Sequence, residues 1–290
     1  MRTIVCATDY SENSAAALKY AHALSKQLNT RMVITHVFDY PTILGSEMLS
    51  EPFPQLEKDT FKEHRIKLEE YCQEHLGSEW QHPNIQLEAI ENKSIIKGII
   101  AKADEWHAAM IVVGMWGGSG IRELIMGSTT KKLIEKAPCP VLAIPYDTSH
   151  TSIKTIVYAT DFEEEDTHAI KKLVEMAQTL DAEIKVVHIT TENEYSAETQ
   201  MEWFKEMLKG RVDYPKIEFI LLFSADIFHS LRTYLGDVGA DMMVMLEREK
   251  SGFLKKWFHQ DLVKKMESYG RVPLMSFNER NHKILYFKIE

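Results

Sequence analysis

No stretch of this chain approaches the roughly 18–20 consecutive apolar residues that a membrane-spanning helix needs. The opening Met1-Arg2-Thr3-Ile4-Val5-Cys6-Ala7-Thr8-Asp9 meets a carboxylate before the apolar core of a signal peptide could form. Cysteine is scarce: Cys6, Cys72 and Cys139 are odd in number and lack CxxC spacing. That pattern excludes a disulfide framework and a zinc ribbon, and reduced thiols in a cytoplasmic protein are the expectation. Excess positive charge is missing too. The net charge of −9 is shared nearly evenly by the two halves, which argues against a sequence-independent grip on nucleic-acid phosphates. There is no GxxxxGK[ST] loop, and the first strand-to-helix turn, Asp9–Asn13, has no glycine for a dinucleotide fingerprint. Paired carboxylates, nucleophile–histidine arrangements and HIGH- or SGGxDS-like motifs are also lacking, so no catalytic residue is expected. His64, His75 and His82 do not have ligand spacing, which leaves no candidate metal site and predicts solvated side chains.

What is there is a duplication. The segment Thr3-Ile4-Val5-Cys6-Ala7-Thr8-Asp9-Tyr10 recurs as Thr155-Ile156-Val157-Tyr158-Ala159-Thr160-Asp161-Phe162, a shift of 152 residues. Continued without a gap to His36 and His188, the match holds 11 identities in 34 positions. A period that long is a repeated domain rather than a solenoid unit. It splits the 290 residues into domains at 1–147 and 153–290, joined through the polar run Asp147–Ser152.

Each copy alternates short apolar runs with helical periodicity. In the first, strands are predicted at Thr3–Thr8, Arg31–Val37, Asn84–Glu91, Ala108–Val113 and Val141–Ile144. Helices are predicted at Ser11–Leu28, Gln55–His75, Ser94–Trp106 and about Gly127–Lys136. The second copy repeats the order as far as a helix at Trp257–Ser268 and a strand at Val272–Ser276, and an extra amphipathic run, Lys283–Ile289, follows. Strands alternating with helices of 10–20 residues specify an α/β fold: two tandem, open, Rossmann-like parallel sheets with helices on both faces.

Ligands of such sheets bind beyond the carboxyl ends of the strands, where strand order reverses. Asp9 follows the first strand there, and Gly114-Met115-Trp116-Gly117-Gly118-Ser119-Gly120 follows the fourth. Gly127-Ser128-Thr129-Thr130 then opens a helix. Glycine lets backbone N–H groups approach a ligand without a Cβ in the way. The first helical turn offers unpaired N–H groups and partial positive charge to phosphate oxygens. A carboxylate at a strand tip accepts hydrogen bonds from a base or a sugar hydroxyl, although Asp9 could equally cap the following helix. Together these residue types describe a nucleotide site.

The spacing Gly114-x2-Gly117-x9-Gly127-Ser128 resembles that of the universal stress proteins, whose ATP-binding members carry G-x2-G-x9-G-[ST] after the fourth strand. The flanking Ile-Val-Val, the Cys139-Pro-Val-Leu-Ala-Ile-Pro145 segment, the opening Ala-Thr-Asp-Tyr-Ser-Glu-Asn-Ser and His36-Val37 agree, and the likeness covers nearly the whole chain twice. The resemblance implies the adenine nucleotide α-hydrolase-like strand order 3-2-1-4-5. It implies ATP, with or without Mg, in the first domain. Ala7, Thr8 and Asp9 would then line the adenine and ribose side, and Val37 would pack on the base. Val113, Gly114, Met115, Trp116 and Gly117 would pass along the ribose and the inner phosphates, and Gly127, Ser128, Thr129 and Thr130 would hold the outer ones. Trp116 departs from the small or histidine residue often seen there.

Placing Ser119-Gly120 on Ser251-Gly252 sets Leu246, Glu249, His259 and Gln260 where Gly114, Gly117, Gly127 and Ser128 stand. The second domain is therefore expected to be degenerate and empty of ATP. The family also implies that Val141–Ile144 and Val272–Ser276 pair, packing the two domains as an intramolecular pseudo-dimer, with a further homodimer left open. The functional expectation is a regulatory, nucleotide-binding stress-response protein with an adenine nucleotide and a protein partner, and not an enzyme. The alternatives are a nucleotide-free scaffold of the same fold and a weak ATPase.

Overall fold

Thr3–Ala7 forms strand β1 because its β-branched, apolar residues are wanted on both faces: Ile4 and Cys6 turn to one core, Val5 to the other. The computed structural model describes residues 2–40, 53–117, 124–148, 152–191, 197–248 and 272–278. After β1 come α1 (Glu12–Gln27), β2 (Arg31–Phe38), α2 (Phe53–Leu76), a 3-10 turn, β3 (Ile85–Glu91) and α3 (Ile95–Glu105). The first repeat closes with β4 (Ala108–Gly117), β5 (Leu124–Ile125), α4 (Ser128–Lys136) and β6 (Val141–Pro145). The second contains β7 (Thr155–Ala159), α5 (Glu164–Leu180), β8 (Glu183–Thr190), α6 (Ala197–Lys209), β9 (Ile217–Phe223), α7 (Ile227–Asp237), β10 (Met242–Glu247) and β11 (Leu274–Asn278). Side chains start the helices as the sequence suggests. Ser11, Ser94 and Asp226 each accept a hydrogen bond from an N–H of the first turn that would otherwise be unpaired.

The strands form one sheet in the order β3-β2-β1-β4-β6-β11-β10-β7-β8-β9, with β5 attached beside β4. Leaving out the β5 arm, each half follows the expected 3-2-1-4-5 order. Pairing along the sheet is parallel except at its centre, where β6 meets β11 antiparallel with Ala143 opposite Leu274 and Val141 opposite Ser276. The two fifth strands thus pair as expected, which removes two apolar edges at once. The cores are shared as well. One face buries Cys6, Leu142, Tyr158 and Met275 together, and the other buries Val5, Ala143, Val157 and Met243. Arg2 reaches across to Glu175 at 2.5 Å.

The structure corrects one boundary that matters for function. The fourth strand does not end at Val113. It runs on to Gly117, with Gly114 and Met115 paired to Ile144 and Pro145 of β6, and Trp116 and Gly117 paired to Ile125 and Leu124 of β5. Gly114 to Gly117 are strand, not loop. Glycine is a poor strand former on its own, but partner strands on either side supply the order that local propensity lacks. His64 is a second correction, since its ring is stacked and not simply solvated. The expected helix at Trp257–Ser268, the run Lys283–Ile289, Gly118, Ser119 and Gly120, and Glu249, His259 and Gln260 lie outside the described residues. Among the described residues no helix is long and apolar enough to cross a membrane.

Candidate functional site

Where β1 ends, Thr8, Asp9, Tyr10, Ser11 and Ser14 make a tight hydrogen-bonded corner with Tyr71. Tyr10 sits at φ 65°, a left-handed turn that swings the chain from strand into helix. The Thr8 side chain is buried; its Oγ1 accepts from Tyr10 N–H at 3.0 Å and lies 2.9 Å from Ser14 Oγ. Tyr71 of α2 adds its hydroxyl 2.9 Å from the same Ser14 oxygen. Asp9 is exposed at the strand tip. The helix cap is Ser11 and not Asp9: Ser11 Oγ accepts from Ser14 N–H and donates to Asp9 Oδ1 at 2.6 Å, while Ser11 N–H donates to the same oxygen at 3.1 Å. Partial burial works against ionisation of Asp9, but these bonds outweigh it and hold the carboxyl below its ordinary value. The strand tip therefore presents a fixed carboxylate.

His36, near the end of β2, donates Nδ1–H to Thr8 O at 2.9 Å, which sets its tautomer because a carbonyl can only accept. Its ring lies 4.2 Å from Tyr10 and 5.5 Å from His64, and His64 stacks on Phe38 at 3.9 Å. Burial lowers the pKa of His36, with the neighbouring His64 and Lys67 adding to the effect against the Thr8 bond. His188 repeats the arrangement in the second half, bonded to Thr160 O at 2.8 Å and packed on Phe162 at φ 58°. Both histidines are joints between strand and turn.

Adjacent to β1 runs β4, with Val113 and Met115 buried and Gly114 partly covered. A Cβ on Gly114 would sit 2.5 Å from Asn13 O and 3.0 Å from Ser14 N, so the glycine is what allows the first turn of α1 to lie against β4. Gly127 is different. It caps α4 at φ −61° and ψ 158°, and a Cβ there would meet nothing within 4 Å among the described residues. Beyond it Ser128 is exposed, Thr129 is half-buried, and Thr130 is buried with Oγ1 3.4 Å from Gly114 O. That contact directs the Thr130 hydroxyl towards β4. Val37 is buried at the end of β2, against Gly98 of α3. Ala7, Thr8, Asp9, Gly114 and the start of α4 thus gather around the carboxyl ends of β1 and β4, with Val37 on the neighbouring strand. Among the described residues no cluster of carboxylates, histidines and cysteines is arranged to hold a metal ion.

The strand registers fix how the second half compares. Met110 lies opposite Ile4 in the first, and Met242 opposite Ile156 in the second, so Leu246 occupies the place of Gly114 and Arg248 that of Trp116. Arg248 fills the mouth of this second corner. Its guanidinium lies 3.0 Å from Asp161, 3.2 Å from Glu163 and 2.8 Å from Asp166. Asp166, standing where Ser14 stands in the first half, is fully buried and also accepts from Tyr158 and Thr160. Burial pushes the Asp166 carboxyl up, and Arg248, Tyr158 and Thr160 oppose that push. Nothing in local sequence pattern announces this ion pair, because its partners are more than eighty residues apart. Overlaying the two repeats is the one signal, since it sets an arginine opposite a tryptophan.

The fold and the duplicated strand-tip corners define a class of tandem α/β proteins built on an open, mostly parallel sheet. The universal stress protein family profile matches residues 1–145 and again 152–259. This chain belongs to the universal stress protein family. A Bacillus subtilis (strain 168) universal stress protein, YxiE, is 29% identical over 147 residues, covering 49% of this chain and 97% of its own. The solved universal stress protein of Archaeoglobus fulgidus DSM 4304 superposes with a TM-score of 0.67 at 14% identity, over 96% of this chain and 98% of that one. A universal stress protein structure from Pseudomonas aeruginosa UCBPP-PA14 gives 0.58 at 14% identity, over 97% and 95%. Both of these span the two repeats together, and at that identity they speak to the fold.

Proposed function

We propose that this protein is a regulatory stress-response protein that binds one adenine nucleotide, ATP in its simplest form, in the first repeat. In this reading residues 1–147 carry the working site and residues 153–290 form a degenerate partner. Base and ribose lie towards Ala7, Thr8, Asp9 and Val37. The chain from Val113 through Gly114, Met115 and Trp116 to Gly117 runs beneath the sugar and inner phosphates, and Gly127, Ser128 and Thr129 take the outer phosphates. Thr130, turned towards Gly114, steadies the helix start rather than bonding phosphate. The protein works by binding and not by turnover, acts in the cytoplasm, and passes its state to a protein partner.

One observation supports this reading above the others. Gly127 has an ordinary φ and, among the described residues, open space where a Cβ would stand, so their packing does not require glycine there. A bare backbone at the start of a helix is what close-lying phosphates need. The second repeat supports the restriction to one site, because Arg248 bonds its carboxylates from within the chain.

The test is Gly127→Asp. Aspartate caps helices at least as well as glycine, so folding should be unaffected. Its charge at the phosphate position should weaken ATP binding by roughly two orders of magnitude or more. Titration calorimetry on the full chain reads both affinities. Equal affinity for ATP in the two proteins would place the phosphates elsewhere and defeat the assignment.

A further inference from the structure

The helix that carries the candidate phosphate site is short, and its far end is held by the other repeat. Helix α4 has nine residues, Ser128–Lys136. The last carbonyls of any helix lack intrahelical donors. Here the chain turns out at Ala137 in an extended conformation (φ −65°, ψ 145°), so no left-handed cap closes the end. The carbonyls of Ile134 and Glu135 are met by Asn278, the last residue of β11. Its Nδ2 donates to Ile134 O at 2.9 Å and to Glu135 O at 2.6 Å. Two carbonyl acceptors settle which way the amide faces, since only its NH2 can donate to both. Asn278 is 5% exposed and Ile134 2%, so water does not readily substitute.

At its near end α4 is tied by Thr130 Oγ1 to Gly114 O. Leu133 and Ile134 sink into the core cluster that also takes Leu274. The helix is therefore fixed at two points, one on β4 of its own repeat and one on β11 of the other. Its first-turn N–H groups can lie only where those two anchors put them.

Resting on the nucleotide reading above, we infer that Asn278 is a positioning residue for the nucleotide site: the second repeat, itself without a working site, holds the phosphate-binding helix of the first in register. This gives the degenerate half a specific task. It also makes the affinity of the first site respond to anything that shifts β11 against β6. The coupling is reciprocal, so nucleotide bound at the start of α4 tightens the contact between repeats.

The test uses the full chain and ATP as the probe. Asn278→Ala should weaken ATP binding by roughly 5- to 20-fold, the lower part of the usual range of coupling between sites. Arg2→Ala breaks the exposed ion pair to Glu175 of α5, between the same repeats, and should leave the affinity unchanged. Asn278→Asp supplies a readout that simple loosening would not. As a carboxylate it faces two carbonyls without a donor, and once protonated it recovers one, so its affinity relative to the unaltered protein should rise as the pH falls. Hydrogen exchange should show faster amide exchange in residues 128–136 of Asn278→Ala. If Asn278→Ala binds ATP as well as the unaltered protein, the inference fails and the site assignment stands. If the unaltered protein binds no ATP, the site assignment fails and takes the inference with it. An equal loss in Arg2→Ala would reduce Asn278 to general interface stability and overturn its positioning role.

Discussion

Gly114 and Gly127 belong to one spaced motif, yet they are glycine for opposite reasons. Gly114 is needed by the protein itself: any Cβ would press on the backbone of Asn13 and Ser14. Gly114→Ala should therefore cost about 1–3 kcal/mol, the usual range for overpacking against atoms that cannot yield. Chemical denaturation of the full chain measures it, and a neutral result would mean that α1 is free to move off β4. Arg248 carries the largest single-residue prediction. Removing it as Arg248→Ala strands the buried Asp166 carboxylate, which should cost about 3–5 kcal/mol near neutral pH. Losing Arg248 raises an already raised carboxyl pKa further, so the buried group accepts a proton more readily than it does in the unfolded chain. Stability lost above that titration returns as the pH falls, and the deficit of Arg248→Ala should shrink on acidification. Denaturant midpoints measured from neutral pH downwards would show it. A deficit that does not change with pH would mean that Asp166 finds another partner.

At the scale of elements, helices and strands were mostly legible. Runs such as Thr3–Ala7 and Val141–Pro145 are apolar on every side because helices cover both faces of the sheet. Ser11 and Ser94 mark helix starts in the sequence and cap them in the structure, as Asp226 does in the second repeat. Three features were not legible, each because it is tertiary. The glycines of β4 look like a loop until β5 and β6 pair with them. Arg248 and Asn278 look like ordinary surface residues until chain segments far away in sequence meet them. His64 reads as solvated in a charged helix, but α2 lays it on Phe38 and beside His36. Burial leads the lowering of both histidine pKa values, with Lys67 contributing to each, and Asp9 and Glu63 oppose it at His36 and His64 respectively. The unfolded chain therefore takes up these protons first. The stability these histidines contribute is present above about pH 6.5 and lost as the pH falls through the lower folded values. His64→Phe keeps a ring on Phe38 and removes one titration, so its thermal midpoint should fall less than that of the unaltered protein between pH 7.5 and 5.5. Parallel melting curves with the same pH dependence would rule out a part for this stack.

The whole molecule is one sheet crossing two repeats, with two cores that each draw on both halves. The halves should therefore not behave as independent beads. A fragment of residues 1–150 would expose β6 and half of each core, and it should aggregate or remain partly unfolded. The full chain should unfold in a single transition and scatter as a compact particle, and a bilobed envelope with two separate melts would contradict the shared sheet. The two strand-tip corners differ: one has Gly114 and Gly127 beside it, and the other is tied by Arg248 to Asp161 and Asp166. The most direct test is the nucleotide count on the intact chain, read by native mass spectrometry after incubation with ATP. One nucleotide per chain in the unaltered protein, and none in Gly127→Asp, is the predicted result; two per chain, or one that survives Gly127→Asp, would contradict it.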